Sequence, residues 1–294
     1  MTTARMHSAT LMGLISLLIW SSLVGVVKLM TESLSPVLSI AMIYSISAWV
    51  IFCSCGRPKW QQMPKIYLWG CGGLFVAYEI LFLLAISLTT NRDQVLLVTM
   101  INYLWPPLTI LFSIFLKQVK ARWYVILGFI MTVIGLMVVI YPDVLAPEML
   151  FSVLRQNPIA YTFAFLAALI WPAYCVFTKR YAEGHNAVSL FFIVSACGLW
   201  LIHFVLGEAF TLPSPLQGLG ILLIGGCIGF AYYQWNQSMQ YGNLQVLICA
   251  TYFMPILSSL ISMQLLDLSP VWSFWMGTVL VSLGACVCWY ATRE

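Results

Sequence analysis

The sequence has very little charge. Only 7% of its 294 residues are Asp, Glu, Lys or Arg, whereas 62% are hydrophobic. An average soluble domain has about 25% charged residues. A soluble fold of this length could not cover its surface with so few charged side chains. The composition therefore excludes a soluble protein and indicates an integral membrane protein.

Histidine is also scarce, and no Cys or His spacing is typical of a metal site. The three histidines, His7, His185 and His203, are far apart in the chain. Catalysis in a membrane needs clustered His, Asp, Cys or Ser side chains, and none is apparent. The nine cysteines lie in or beside apolar runs, and we interpret them as packing residues. The sequence thus predicts a protein that is not an enzyme and binds neither metal nor cofactor.

Polar segments long enough for a soluble domain are absent, so nucleic-acid binding is not expected. Apolar runs fill the chain instead, each close to the roughly 20 residues that cross a bilayer as a helix. The runs are continuous, as in membrane-spanning helices. The sequence therefore predicts an all-α membrane protein with ten spans: 10–29, 35–54, 66–88, 94–116, 122–141, 157–178, 188–206, 216–239, 244–266 and 270–291.

The net charge of +4 is unevenly distributed between the predicted connections. Lys and Arg accumulate in cytoplasmic loops of membrane proteins. With a cytoplasmic N-terminus, the connections that face the cytoplasm hold Arg5, Arg57, Lys59, Lys65, Lys117, Lys120, Arg122, Lys179, Arg180 and Arg293. The opposite connections hold only Lys28, Arg92 and Arg155. Both termini are therefore predicted to be cytoplasmic.

The two halves of the chain resemble each other. At an offset of about 150 residues, the matching pairs are Trp20/Trp171, Lys28/Lys179, Glu32/Glu183, Trp49/Trp200, Tyr103/Tyr252, Pro106/Pro255, Trp123/Trp272, Gly128/Gly277 and Gly135/Gly284. Because five helices per half is an odd number, the second half enters the membrane from the opposite side. We expect two inverted five-helix repeats, residues 1–150 and 151–294. Many secondary transporters have this architecture, with a substrate site near the midplane where helices are broken.

Such breaks are predicted in the fourth and ninth spans. The fourth reads Asn102-Tyr103-Leu104-Trp105-Pro106-Pro107, and the ninth reads Thr251-Tyr252-Phe253-Met254-Pro255. Proline frees a backbone carbonyl one turn earlier, which hydrocarbon cannot satisfy. We therefore expect both breaks to face a central cavity, although a packing kink without a ligand would give the same pattern.

Several segments resemble the drug/metabolite transporter superfamily of the EamA type. They are LLIWSSLVGVVK (17–28), AYE (77–79), NYLWPPLTILF (102–112), LIWPAYCVFTKRYA (169–182) and SFWMGTVLVSLGACVCWYATR (273–293). Many members have Arg in the second helix, where this chain has Tyr44. The likeness is greatest to the bacterial aromatic amino acid exporters. It implies a ten-helix exporter of the bacterial inner membrane with a basket-shaped cavity.

An aromatic amino acid requires aromatic walls and partners for its charged end. Glu79 lies deep in a span, where a carboxylate is costly and is a functional candidate by default. It can pair with a substrate ammonium, carry a proton or bond a neighbouring helix. Asn102 can bind the polar end of a substrate or join two helices. The full set of candidate substrate-binding residues is Trp20, Tyr78, Glu79, Asn102, Tyr103, Trp105, Trp171, Tyr232 and Tyr252.

The expected function is export of Phe, Tyr, Trp and related hydrophobic solutes by alternating access. The alternative is export of another amino acid, drug or metabolite by the same fold, for example Thr, Met or toxic cationic compounds. Phosphorylated substrates would favour Lys or Arg at midspan, and the sequence has neither there. The expected partners are a small-molecule substrate and the lipid bilayer. Proton coupling and oligomeric state stay open at the level of sequence.

Overall fold

The computed structural model describes residues 3–56, 58–118, 120–140 and 147–292, without the side chains of 3–4, 140, 147–151, 236, 239–240, 244–245 and 248–249. Arg57 and Arg293, which enter the charge count above, lie outside the described residues. The described part of the chain is helical and has no β-strand. Its α-helices are α1 (Thr3–Ser33), α2 (Pro36–Cys55), α3 (Gly72–Ser87), α4 (Arg92–Asn102), α5 (Trp105–Phe115), α6 (Val125–Ile140), α7 (Pro147–Gln156), α8 (Pro158–Tyr181), α9 (Val188–Leu206), α10 (Pro215–Tyr241), α11 (Leu244–Thr251), α12 (Met254–Leu266) and α13 (Trp272–Tyr290).

Eight of the predicted spans are confirmed as helical segments long and apolar enough to cross a membrane, among the described residues. One of them, Arg92–Phe115, consists of α4 and α5 together. The other two predicted spans, 122–141 and 244–266, contain the shorter apolar helices Val125–Val139 and Met254–Leu266. The chain is therefore an all-α protein that passes through the membrane several times.

Local sequence signals explain where the helices begin and end. Pro is the first residue of α2, α8 and α10, a position that requires no backbone donor. The side chain of Asn157 accepts a hydrogen bond from the amide of Ala160 and caps α8. Ser214 and Gln217 form a reciprocal capping box at α10. Gly56, with φ of 73°, ends α2.

Three elements were not predicted from the sequence, and the shortest is the 3₁₀-helix Trp60–Gln62 in the connection after α2. A π-helix, Ile66–Cys71, precedes α3 and forms the first part of the third span. The short helix α7 lies in the connection between the two predicted repeats, and the predicted boundary between residues 150 and 151 falls inside it. Residues 141–146 of the same connection lie outside the described part.

The packing follows a paired pattern around the centre of the bundle. Helix α1 packs on α10 and α12, and in the same way α8 packs on α3 and α5. Helix α2 contacts α9, and α6 contacts α13. This arrangement places α1, α8 and the junctions α4–α5 and α11–α12 around one interior space.

Candidate substrate cavity

Both predicted breaks are present, and each lies just before its proline. Helix α4 ends at Asn102 and α5 begins at Trp105, with Pro106 and Pro107 in the first turn of α5. In the other half, α11 ends at Thr251 and α12 begins at Met254, followed by Pro255. Proline fits the first turn of a helix because the amide there has no intrahelical acceptor. Each motif therefore ends one half-helix and begins the next.

The two breaks contact each other. The phenol of Tyr103 donates a hydrogen bond of 3.2 Å to the backbone carbonyl of Met254. Tyr103 and Met254 are both buried and share an apolar cluster with Leu17 and Met100. Of the residues at the two breaks, Tyr103, Leu104 and Tyr252 are buried by protein, as hydrocarbon surroundings require, whereas Phe253 is exposed on the outside of the bundle.

A cavity of about 220 Å³ lies beside the breaks. It is smaller than the sites of drug-sized ligands, which are about 300–1,000 Å³, so its size suits one small solute. Eight of the nine predicted site residues line it: Trp20, Tyr78, Glu79, Asn102, Tyr103, Trp105, Trp171 and Tyr232. Tyr252 does not line the cavity but packs with its ring centroid 6.2 Å from that of Trp289. Its neighbours Thr251 and Met254 line the cavity instead.

Glu79 is held by two tyrosines from different halves of the chain. Tyr44 of α2 donates to Oε2 through a short hydrogen bond, and Tyr232 of α10 donates to Oε1 at 2.6 Å. The carboxyl is only 3% exposed. A buried carboxyl group is tolerable when both of its oxygens are hydrogen-bonded. The arrangement therefore makes Glu79 a polar centre that joins the two halves at the cavity wall.

Two tryptophan–tyrosine pairs form parts of the wall, one from α1 and α10 and the other from α8 and α3. The rings of Trp20 and Tyr232 have centroids 4.8 Å apart, and those of Trp171 and Tyr78 are 4.5 Å apart. Trp235 extends the first pair, with its ring centroid 5.2 Å from that of Trp20. Aromatic rings attract one another at such separations, so the walls can also receive an aromatic side chain.

Two buried polar atoms of the cavity-lining residues have no hydrogen-bond partner within the described structure. They are the indole Nε1 of Trp20, a donor, and the side-chain Oδ1 of Asn102, an acceptor. Leaving such a group unpaired costs about 1–3 kcal/mol. Both atoms are buried, so a solute could pair with them only after the two side chains turned toward the cavity.

Sequence reasoning did not place Tyr44 or Cys175 in the site, yet both line the cavity. Tyr44 could have been found, because it replaces the Arg of many family members and lies one helix away from Glu79. Cys175 is one turn beyond Trp171 on α8, so it faces the same side.

An ionic cluster lies where α1 and α12 end and α4 begins, at one end of the cavity-lining helices. The guanidinium of Arg92 binds Glu32 through two hydrogen bonds of 2.8 and 3.2 Å and donates a third of 2.9 Å to the carbonyl of Leu266. Lys28 is 5% exposed and donates to the carbonyl of Thr89 at 2.7 Å. These contacts join cavity-lining helices of both halves.

A solute-sized, largely aromatic cavity enclosed by broken membrane helices defines a multi-pass membrane transporter. The chain belongs to the EamA-like transporter family, whose model matches residues 158–290. It is 35% identical to the aromatic amino acid exporter YddG of Escherichia coli, over 98% of this chain and 99% of that protein. It is 37% identical to the protein of the same name from Salmonella typhimurium, again over 98% of this chain and 99% of that protein. This similarity confirms the family predicted from the sequence and indicates a protein of the bacterial inner membrane.

A solved crystal structure also has the same fold. It is 26% identical in sequence, covers 98% of both chains and superposes with a TM-score of 0.68. The likeness extends over the whole bundle and is not confined to the segment that matches the family model.

Proposed function

We propose that the protein exports aromatic amino acids from the cytoplasm by alternating access through the central cavity. The observation that carries this proposal is the composition of the cavity wall. Tryptophan and tyrosine side chains surround a buried carboxyl, Glu79, and an unpaired amide oxygen, that of Asn102. The relatives named aromatic amino acid exporters align with nearly the full length of the chain, which supports the same substrate class.

The charges of an amino acid fit the polar atoms of this wall. The ammonium group is a donor, and it would pair with Oδ1 of Asn102 and with the carboxyl of Glu79. The carboxylate is an acceptor, and it would bind the indole N–H of Trp20. The aromatic side chain would then lie between Trp171, Tyr78 and Trp105. This orientation assigns a substrate contact to six of the predicted residues, while Tyr232 holds Glu79, Tyr103 holds the α11–α12 break, and Tyr252 lies outside the site.

Many secondary transporters achieve alternating access with two inverted repeats, and we propose that residues 1–150 and 151–294 form inverted five-helix repeats. The ten spans would be the eight long apolar segments and the two shorter apolar helices, α6 and α12. The paired packing of α1 on α10 and of α8 on α3 supports this division. With both termini in the cytoplasm, the charge distribution of the connections follows the positive-inside rule.

Four matched glycines support a two-fold axis in the membrane plane. Gly135 of α6 packs on Gly277 of α13, and Gly128 packs on Gly284. The sequence match exchanges Gly128 with Gly277 and Gly135 with Gly284. The exchange turns the contact of Gly135 with Gly277 into a contact of Gly284 with Gly128, which is the second contact observed. An interface that a two-fold axis maps onto itself has this property.

Counterflow into proteoliposomes tests the proposal. Proteoliposomes that contain the purified protein are loaded with unlabelled Phe. Labelled Phe, Tyr, Trp, Thr or an anionic metabolite is then added outside. We expect saturable uptake of the three aromatic amino acids and no uptake of the anion. Trp171→Ala should abolish uptake, whereas Trp272→Ala, at a site 75% exposed on the outside of the bundle, should not. Uptake of Thr in preference to the aromatic amino acids would overturn the substrate assignment.

A further inference from the structure

A second cavity, of about 580 Å³, lies on the side of the bundle between α4–α5, α6 and α8. We call it the lateral groove. Its walls are almost entirely apolar and include Leu104, Leu108, Phe129 and Val133. Phe165, at 47% exposure, and the exposed Thr162 lie on α8 at its open side. The groove is therefore open to the surroundings of the bundle, which in a membrane are lipid chains.

The length of the groove corresponds to one leaflet. Along α8 it extends from Pro158, the first residue of the helix, to Leu169. Eleven residues of helix rise about 16 Å, roughly half of the hydrocarbon thickness of about 30 Å. The groove thus begins at the end of a membrane helix and reaches the middle of the bilayer.

Polar groups are present only toward the end of the groove where α8 begins. Tyr161 lines the groove, is 4% exposed, and its hydroxyl has no hydrogen-bond partner in the described structure. Such a hydroxyl requires an acceptor, because hydrocarbon offers none. The exposed cation Arg155 is in the last turn of α7, next to Leu154, which also lines the groove.

We propose that the lateral groove binds one acyl chain of a bilayer phospholipid. The chain lies along the apolar walls, the ester carbonyl accepts a hydrogen bond from Tyr161, and the phosphate pairs with Arg155. Along the protein, the cation comes first, then the hydroxyl and then the apolar surface. A phospholipid presents the matching groups in the same order: phosphate, ester and acyl chain. The site needs no transport activity, so it stands or falls separately from the proposed function.

The bound chain would contact the break of the fourth span. Ile101, Leu104 and Leu108 line the lateral groove on one side of the α4–α5 junction, while Asn102 and Tyr103 line the central cavity on the other. A lipid in the groove therefore supports the same backbone segment that forms the wall of the substrate cavity.

Native mass spectrometry of the purified full-length protein in detergent tests the site. The probes are phosphatidylglycerol and a diacylglycerol with the same chains, which lacks the phosphate. Thr162→Trp fills the open side and should remove both lipids. Arg155→Gln should weaken only phosphatidylglycerol, by about fivefold, the effect of one cation near a lipid phosphate. The matched controls are Leu222→Trp, on an exposed apolar face of α10, and Arg180→Gln, at the opposite end of α8.

Unchanged retention of both lipids by Thr162→Trp and by Arg155→Gln would overturn the proposal. Displacement of the lipid by saturating tryptophan would overturn it as well, since the groove would then be a solute site. If Thr162→Trp fails to fold, as judged by gel filtration, Val133→Phe fills the groove from the opposite wall and gives the same comparison.

Discussion

Gly135 of α6 and Gly277 of α13 lie in direct backbone contact. A methyl group added to Gly135 would lie 2.7 Å from both the carbonyl oxygen of Gly277 and the amide nitrogen of Val281. Backbone atoms of two packed helices cannot move aside as a flexible side chain can. Small residues are what allow membrane helices to approach this closely.

Gly135→Ala should therefore destabilise the protein by about 1–3 kcal/mol, the usual cost of overpacking. A matched control is Gly226→Ala in α10, where an added methyl group meets nothing within 4 Å. That variant should be neutral or slightly more stable, because Ala favours helix over Gly. Thermal unfolding in detergent measures both, and equal melting temperatures for the two variants would contradict the close contact.

Glu79→Gln should impair transport without reducing the amount of folded protein. A glutamine offers one acceptor oxygen where the carboxylate offers two, so Tyr44 or Tyr232 would lose its acceptor. An unpaired buried donor costs about 1–3 kcal/mol, and where this cost falls on the transport step it corresponds to a loss of about 5- to 160-fold in rate. Counterflow of labelled Phe, with and without a pH gradient, measures the loss.

The matched control for Glu79 is Glu183→Gln, at an exposed turn after α8, which should transport normally. If Phe transport by the parent protein depends on the pH gradient and transport by Glu79→Gln does not, Glu79 is the proton-carrying group. Full activity of Glu79→Gln would remove Glu79 from the mechanism.

Glu208 should make stability depend on pH below about 4.5. It follows α9 and accepts hydrogen bonds from Ser35 and from the amides of Val37 and Leu38, and it contacts His203 Nδ1 at 3.1 Å. Burial opposes ionisation, but these bonds prevail and hold the pKa of Glu208 below its ordinary value of 4.5. A lowered pKa in the folded state means that the stabilisation is complete above pH 4.5 and is lost as the pH falls.

Melting temperatures between pH 3.5 and 7 test this expectation. The parent should lose stability in the acidic part of this range, and Glu208→Gln should lose less because its side chain cannot be protonated there. Glu183→Gln should retain the pH dependence of the parent. A parallel fall for Glu208→Gln and the parent would show that another group is responsible.

The spans could be predicted because the bilayer imposes a simple rule, a long apolar run for each crossing. The breaks were predictable for a similar reason, since Pro106 and Pro255 remove backbone donors that hydrocarbon cannot replace. The clustering of eight candidate residues around one cavity followed from locating those breaks and the buried acid, Glu79. Their role in substrate binding stays a prediction until transport is measured.

Other features depend on packing that a single sequence does not reveal. The π-helix before α3 carries no local signal, because its apolar residues would fit an α-helix equally well. The hydrogen bond from Tyr44 to Glu79 requires the relative rotation of α2 and α3. Tyr252 matches Tyr103 in sequence, yet its ring contacts Trp289 of α13. Positions that match between the two halves of the sequence thus need not have equivalent surroundings.

The hydrogen bond between Tyr103 and Met254 has a mechanical consequence. It connects the joint between α4 and α5 to the first turn of α12, which follows the joint between α11 and α12. Tilting either half-helix alone would stretch this bond, so the favoured motion is one in which both joints bend together. Under the proposed alternating access, such concerted bending would favour states in which one side is open and the other is sealed, and it would disfavour a continuous leak through the protein.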